Sequence, residues 1–200
     1  MTRRLLWTLP AVLTALVVQL AAQSPVRTIE DGALDEIKLY VDKLPSAAKV
    51  AIRPFSATDT DLTEGAKDSE DTKKMQAEAP AMLSDSFAAR IKKLAPATEV
   101  SILTADAAVP AGAVVFEGQF IEMDPGSMAK RMFIGYGAGK SGVTAKGTLK
   151  SADGTLLAEF QQRRIGMRSR GLEMLRDDTK QIGEDLAEFL NKWATGKKLN

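Results

Sequence analysis

Glycine, lysine and serine meet at Gly139-Lys140-Ser141, the order in which a phosphate-binding loop ends. Such a loop reads Gly-x-x-x-x-Gly-Lys-Ser and opens a helix, whose first amides hold the phosphates. Here the first glycine would fall at Ile134, and Gly135 comes one residue late. The residues that follow, Gly142 to Lys150, alternate like a strand and start poorly as a helix. A dinucleotide loop fails as well, because no strand–turn–helix follows the glycines. The segment is read without a nucleotide, and no cofactor is expected.

Its own pattern points elsewhere. Gly135, Gly137 and Gly139 recur at every second position, which puts them on one face of an extended segment. A face without side chains lets a backbone, a ring or a ligand come close. Packing against the domain's own helix is one reading. The other is a contact surface for self-association or a membrane. In it, Phe133, Ile134 and Tyr136 make apolar contacts, and Lys130, Arg131 and Lys140 meet headgroups or a partner's acids. The expected interaction segment is Lys130, Arg131, Phe133, Gly135, Tyr136, Gly137, Gly139, Lys140 and Ser141.

Other chemistry is narrowed by what the chain lacks. It has no His and no Cys. That removes the commonest general base, the Ser-His-Asp triad, thiol catalysis, disulfides and Cys-based metal sites. It also removes the residue a lipoprotein anchor requires. Glu117, Glu122, Asp124 and Glu159 lie on or beside expected strands. A carboxylate-dependent hydrolase of envelope polymers is therefore an alternative, needing a pair roughly 5–9 Å apart. A small-ligand carrier is another, needing a cavity of at least ~300 Å³. The acidic and basic run at 57–74 has no Ca²⁺-loop spacing, so it is read as a surface loop without metal. Arg163, Arg164, Arg168 and Arg170 are read as a loop into the last helix, solvated or facing an anionic partner.

The elements that would position these residues follow from periodicity. Arg3 and Arg4, the apolar run Leu5 to Leu20, and the small pair Ala21-Ala22 have the form of a cleavable signal peptide. The apolar run is about 16 residues, short of the roughly 20 that span a bilayer. The 200 residues carry a formal charge of +1, and removing the two leader arginines takes this to −1. Such balance gives no footprint for nucleic acid. Hydrophobic residues at 44% and charged residues at 26% suit a folded domain.

A short helix is expected near 31–43, from Leu34, Ile37, Tyr40, Val41 and Leu44. Lys49 to Phe55 reads as a strand ending at Pro54. A helix is expected over 78–95, with Pro80 in its first turn. Strands follow over 98–104, 113–123, 142–150 and 155–164, with a type I′ turn at Asp153-Gly154. Leu172 to Trp193 reads as the last helix, with Arg176, Asp177, Lys180, Glu184, Asp185 and Glu188 on its polar face. Gly183 inside it suggests close packing on the sheet, and Gly196 should cap it. The expected fold is α/β (α+β): a mostly antiparallel or mixed sheet of about four to five strands with two main helices, plus a short N-terminal helix. The divisions are a signal peptide at 1–22, a leader at 23–45 and one α/β domain at 46–196.

The run Phe116-Glu117-Gly118, Asp124-Pro125-Gly126-Ser127, Ala129-Lys130-Arg131 and Gly135-Tyr136-Gly137-Ala138-Gly139-Lys140-Ser141 resembles a bacterial exported family, domain-of-unknown-function family 4410. Asp153-Gly154 and Arg176-Asp177-Asp178 with Ile182-Gly183-Glu184-Asp185 fit it too. Val50-Ala51-Ile52-Arg53-Pro54-Phe55 is similar to the first strand of envelope assembly domains. The resemblance implies a secreted or lipid-anchored envelope protein with no assigned activity, though the anchoring Cys is absent here. The expectation is an exported, non-enzymatic binding or assembly module, periplasmic or peripheral to the envelope. Its partner would be an envelope protein or a second copy, with peripheral membrane contact and no nucleic acid.

Overall fold

The computed structural model describes residues 26–31, 34–45, 47–62, 70–125, 141–166 and 172–199. In chain order the elements are β1 (Arg27–Asp31), β2 (Leu34–Leu39), β3 (Lys49–Ile52), β4 (Asp61–Leu62), α1 (Glu70–Leu94), β5 (Glu99–Ile102), β6 (Val114–Asp124), β7 (Ser141–Ser151), β8 (Leu156–Gly166) and α2 (Leu172–Ala194). The strands form one mixed sheet of eight, ordered β1-β2-β8-β7-β6-β3-β5, with β4 added beside β6. β6, β7 and β8 form the antiparallel meander. β3 runs parallel to both β5 and β6. Among the described residues the fold is thus mixed α/β with two helices, and its sheet is nearly twice as wide as the sequence suggests.

The extra width comes first from the amino-terminal end. The expected helix near 31–43 is instead the strand β2, paired antiparallel with β1 and β8. Leu34, Ile37 and Leu39 are its buried residues. The spacing of three between Leu34 and Ile37 mimics a helix. The step of two to Leu39 is the strand period, and Ile37 and Leu39 sit opposite Phe160 and Ala158. Six residues cannot form a stable helix alone, whereas the free edge of β8 offers a full ladder of hydrogen bonds.

α1 starts at Glu70, eight residues before its expected start, and Pro80 lies inside it. Part of the run read as a surface loop is therefore helix. Thr72 and Met75 are buried and continue the stripe of Ala79, Leu83, Phe87 and Ile91. Packing on that stripe outweighs a proline that costs a helix interior about 3 kcal/mol. α2 has nearly the expected bounds and closes on Gly196 at φ +66°. Lys197 N–H donates to the Lys192 carbonyl and Gly196 N–H to the Trp193 carbonyl, a two-bond glycine cap.

The helices lie side by side on one face of the sheet. Arg176 pairs with Glu78 at 3.1 Å and Glu188 with Arg90 at 2.5 Å, so they run parallel at a constant offset. Gly183 is at their closest approach. A Cβ there would meet Ser86 Oγ, the Leu83 carbonyl and, at 3.0 Å, the Phe87 amide. The glycine therefore serves helix–helix packing, not helix–sheet packing as the sequence suggested. Beneath, Phe87 packs edge-on against Phe116, which meets Phe160 in turn.

The hairpin after β7 also differs from expectation. Gly154 alone has a positive φ, +88°, where a type I′ turn needs two such residues. Gly154 N–H donates to the Ser151 carbonyl and Ser151 N–H to that of Thr155. This is a three-residue loop with Gly154 in the left-handed position. Ser151 and the Thr155 amide donate to the Asp153 carboxylate, holding its pKa below the usual aspartate value.

Candidate functional site

Of the expected interaction segment, Lys130, Arg131, Phe133, Gly135, Tyr136, Gly137, Gly139 and Lys140 lie outside the described residues. Ser141 is the first residue of β7 and is buried, its Oγ without a hydrogen-bond partner among the described residues. The signal peptide at 1–22 and Arg168 and Arg170 also lie outside them.

A glycine-faced approach does occur, at another place. Gly118 of β6 stands opposite Gly147 of β7. A Cβ on Gly118 would fall 2.8 Å from the Phe55 ring, and one on Gly147 would fall 2.7 Å from the Phe160 ring. Both glycines make room for aromatic rings of the helix-side core. Phe116, Gly118 and Phe120 share that face, as their alternation required.

Among the described residues the other face of the sheet carries no helix, and register assembles its chemistry. Lys38, Glu159, Thr148 and Glu117 stand directly opposite one another across β2, β8, β7 and β6. One step along, Glu36, Gln161, Lys146 and Gln119 form a second row. A bridge from Gln119 to Ser56 extends this row to the chain beyond β3. Together these rows line a shallow groove of about 780 Å³, with Arg53 and Pro54 at the β3 side and Lys150 further along β7. Five strands at about 4.8 Å spacing make it roughly 19 Å wide.

Arg53 forms one wall. Its guanidinium donates to the carbonyls of Thr104, Ala105 and Ala107, at 3.0 Å for the last, and lies 3.7 Å from Glu117. This holds the loop after β5 over a small second core of Ala51, Leu103 and Val115. Lys150 pairs with Glu117, and Lys38 lies 3.1 Å from Glu36. Tyr40 hydrogen-bonds to Glu159, and burial together with that bond raises its phenol above the ordinary value. Lys38 is likewise raised, by its bond to Glu36. Lys146, on the central strand β7, is exposed and has no ion-pair partner among the described residues.

The four carboxylates singled out from sequence are now placed. Glu117 and Glu159 share a row two strands apart, and each is committed to partners of its own. Glu122 accepts from Thr144 at 2.9 Å and lies 3.5 Å from Arg163. Asp124 ends β6. Among the described residues no three acidic side chains gather as a metal site.

A second polar cluster lies inside, between β8 and α2. Arg163 and Arg164 are neither loop residues nor one patch: they alternate in β8, with Arg163 outward and Arg164 toward α2. Arg164 grips Asp185, whose carboxylate also accepts from Gln162 at 2.9 Å and Gln181 at 3.1 Å. Asp185, expected on the polar face of the helix, is only 3% exposed. Burial raises its pKa above the usual aspartate value, against the lowering by Arg164 and the two amides. Asp178, two turns earlier, is raised by burial too, and its Oδ2 has no hydrogen-bond partner among the described residues. No sequence signal marks this cluster, because Asp185 reads as one more surface charge until β8 is laid against the helix.

Comparison with known proteins supplies a family. The model described as domain of unknown function (DUF4410) matches residues 40–169. Among solved structures the chain is similar to the PelC dodecamer from Paraburkholderia phytofirmans, in two crystal forms. One, that protein's L103M variant, has 15% identity and a TM-score of 0.41, covering 76% of this chain and 95% of that one. The other has 15% identity and a TM-score of 0.40, covering 80% and 95%. No curated protein matches the chain.

Proposed function

The chain belongs to the DUF4410 family, and on that premise we propose that it is an exported, non-enzymatic binding module of the cell envelope that holds a polar partner on the bare face of its sheet. The observation that carries this reading is the groove of about 780 Å³ on the face opposite the helices. A sheet that only supports a core can leave its outer face flat and solvated. Here the loop held by Arg53 walls that face on one side, and two registered rows of charges, amides and hydroxyls floor it. The carboxylates on it are bound to neighbouring groups, which suits recognition better than proton transfer. Export rests on the leader pattern at Arg3, Arg4 and Leu5 to Ala22. Without Cys the mature protein would be free of a lipid anchor.

The test has two parts. Full-length protein with a carboxy-terminal tag is expressed in a bacterium with two membranes and released by osmotic shock. Appearance in the shock fluid, with a mass matching cleavage near Ala22, supports export; retention of full-length protein in the cytoplasm overturns it. A photo-crosslinking residue is then placed at Thr148, on the groove floor, or at Lys93, on the exposed side of α1. Adducts from position 148 and not from 93 support the binding face. Equal labelling from both, or none from 148, removes it.

A further inference from the structure

Within the groove the charges do not cancel. Lys38, Arg53 and Lys150 each have a carboxylate beside them, on Glu36 or Glu117, and Glu159 is bonded by Tyr40. Lys146 has none among the described residues, though it sits on the central strand with its side chain exposed. Directly opposite it on the two neighbouring strands stand Gln119 and Gln161. Their amides offer two N–H donors each, flanking an ammonium that has three.

We infer that Lys146, Gln119 and Gln161 form an anion subsite that takes one carboxylate from an extended acidic segment of a partner polypeptide. The inference rests on the binding reading above and names the ligand of that same face. The charge argument selects a monoanion. Among the described residues the groove holds four cations and three carboxylates, Glu36, Glu117 and Glu159, so a single negative charge completes it. A phosphate dianion would meet repulsion from Glu36 and Glu159, which border the subsite. The lining selects a polypeptide. Amides and hydroxyls can pair with both N–H and C=O groups of an extended main chain, while among the described residues the lining has no tryptophan or tyrosine to stack a sugar ring and its one aromatic, Phe160, is only 4% exposed. The width of roughly 19 Å takes five or six extended residues at about 3.3 Å each.

The probe is a hexapeptide of serine and glycine with one central glutamate, acetylated and amidated at its ends. It is titrated into ¹⁵N-labelled full-chain protein as purified, and the side-chain amide signals of Gln119 and Gln161 are followed. The expected result is a saturable shift of both signals, with an apparent affinity about threefold weaker when glutamine replaces the peptide's glutamate. Lys146→Gln should weaken the apparent affinity about threefold, the scale of one solvent-exposed ion pair, and Lys146→Arg should restore it. Both variants should melt with the wild type, since Lys146 holds no ion pair to lose.

Four outcomes would overturn the inference. If both peptides shift the signals equally and Lys146→Gln changes nothing, the groove binds chains but has no anion subsite, and the binding reading stands. If an oligogalacturonate shifts the signals and the peptide does not, the carboxylate is correct and the polypeptide is not. If no probe moves any signal while position 148 still crosslinks, the subsite is wrong and the face is right. Absence of both signals removes the two together.

Discussion

Gly183→Ala sets two physical effects of opposite sign against each other. On an isolated helix the change stabilises by about 1 kcal/mol, because alanine loses less backbone entropy than glycine. In the folded chain the new Cβ would enter the space of Ser86 Oγ and the Leu83 carbonyl and lie 3.0 Å from the Phe87 amide. Ser86 can rotate away, but doing so gives up its bonds to the Leu83 carbonyl at 3.0 Å and the Lys180 carbonyl at 2.9 Å. Two such bonds contribute about 1 kcal/mol each. The Leu83 carbonyl is backbone and yields only if the helices separate. Overpacking of this kind costs about 1–3 kcal/mol.

Together these losses exceed the propensity gain, and the net is a destabilisation of about 2–4 kcal/mol. For a domain of this size that lowers the melting temperature by roughly 5–15 °C. Urea or thermal unfolding of the purified variant reads it. Adding Ser86→Ala should recover only part of the loss, since the carbonyl contact remains. A variant that melts at or above the wild type would show that the helix contact is looser than described and would refute the reasoning.

Arg53→Ala should release the loop at Thr104–Ala107 and leave the sheet folded. Amide exchange across 104–109 should quicken tenfold or more, while β6 and β7 keep their protection; unchanged exchange in the loop would mean Arg53 does not hold it. Asp185→Ala strands Arg164 and Gln162 in a buried setting and should cost about 2–3 kcal/mol, the scale of hydrogen bonds to a charged group, measured by urea unfolding at neutral pH. Asp185 also predicts a pH dependence of definite sign. Its folded pKa is raised by burial, so the folded state binds the proton more tightly, and the stability it contributes is full below the ordinary aspartate value of about 3.9 and falls as pH rises through the folded value. The advantage of wild type over Asp185→Asn should therefore shrink as pH rises from about 3 to 7. An advantage that grows over that range would mean the attraction of Arg164 outweighs desolvation.

Some of this structure was settled by local sequence alone. α2 was legible over nearly its whole length, because Leu175, Ile182, Leu186, Phe189 and Trp193 fall on one helical stripe that local sequence repeats over six turns. β6, β7 and β8 were legible through alternation over eleven residues each. Gly196 announced the helix end because no other residue takes its positive φ without strain. The family resemblance was also legible, and its match runs across the segment that carried it.

Tertiary contacts decided the rest. Leu34 to Leu39 is too short for its period to choose between helix and strand, and the edge of β8 chose. Glu70 to Lys74 became helix because α1 packs along its whole buried side, which no local pattern encodes. Asp185 and Gly183 sit one turn or less apart on α2. Their sequence surroundings do not tell that one faces a half-buried arginine of β8 and the other the backbone of α1. The groove is the clearest case. Lys38, Glu159, Thr148 and Glu117 come from four strands and 121 positions of chain apart at the extremes, and only hydrogen-bond register, a property of paired backbones, sets them in one row.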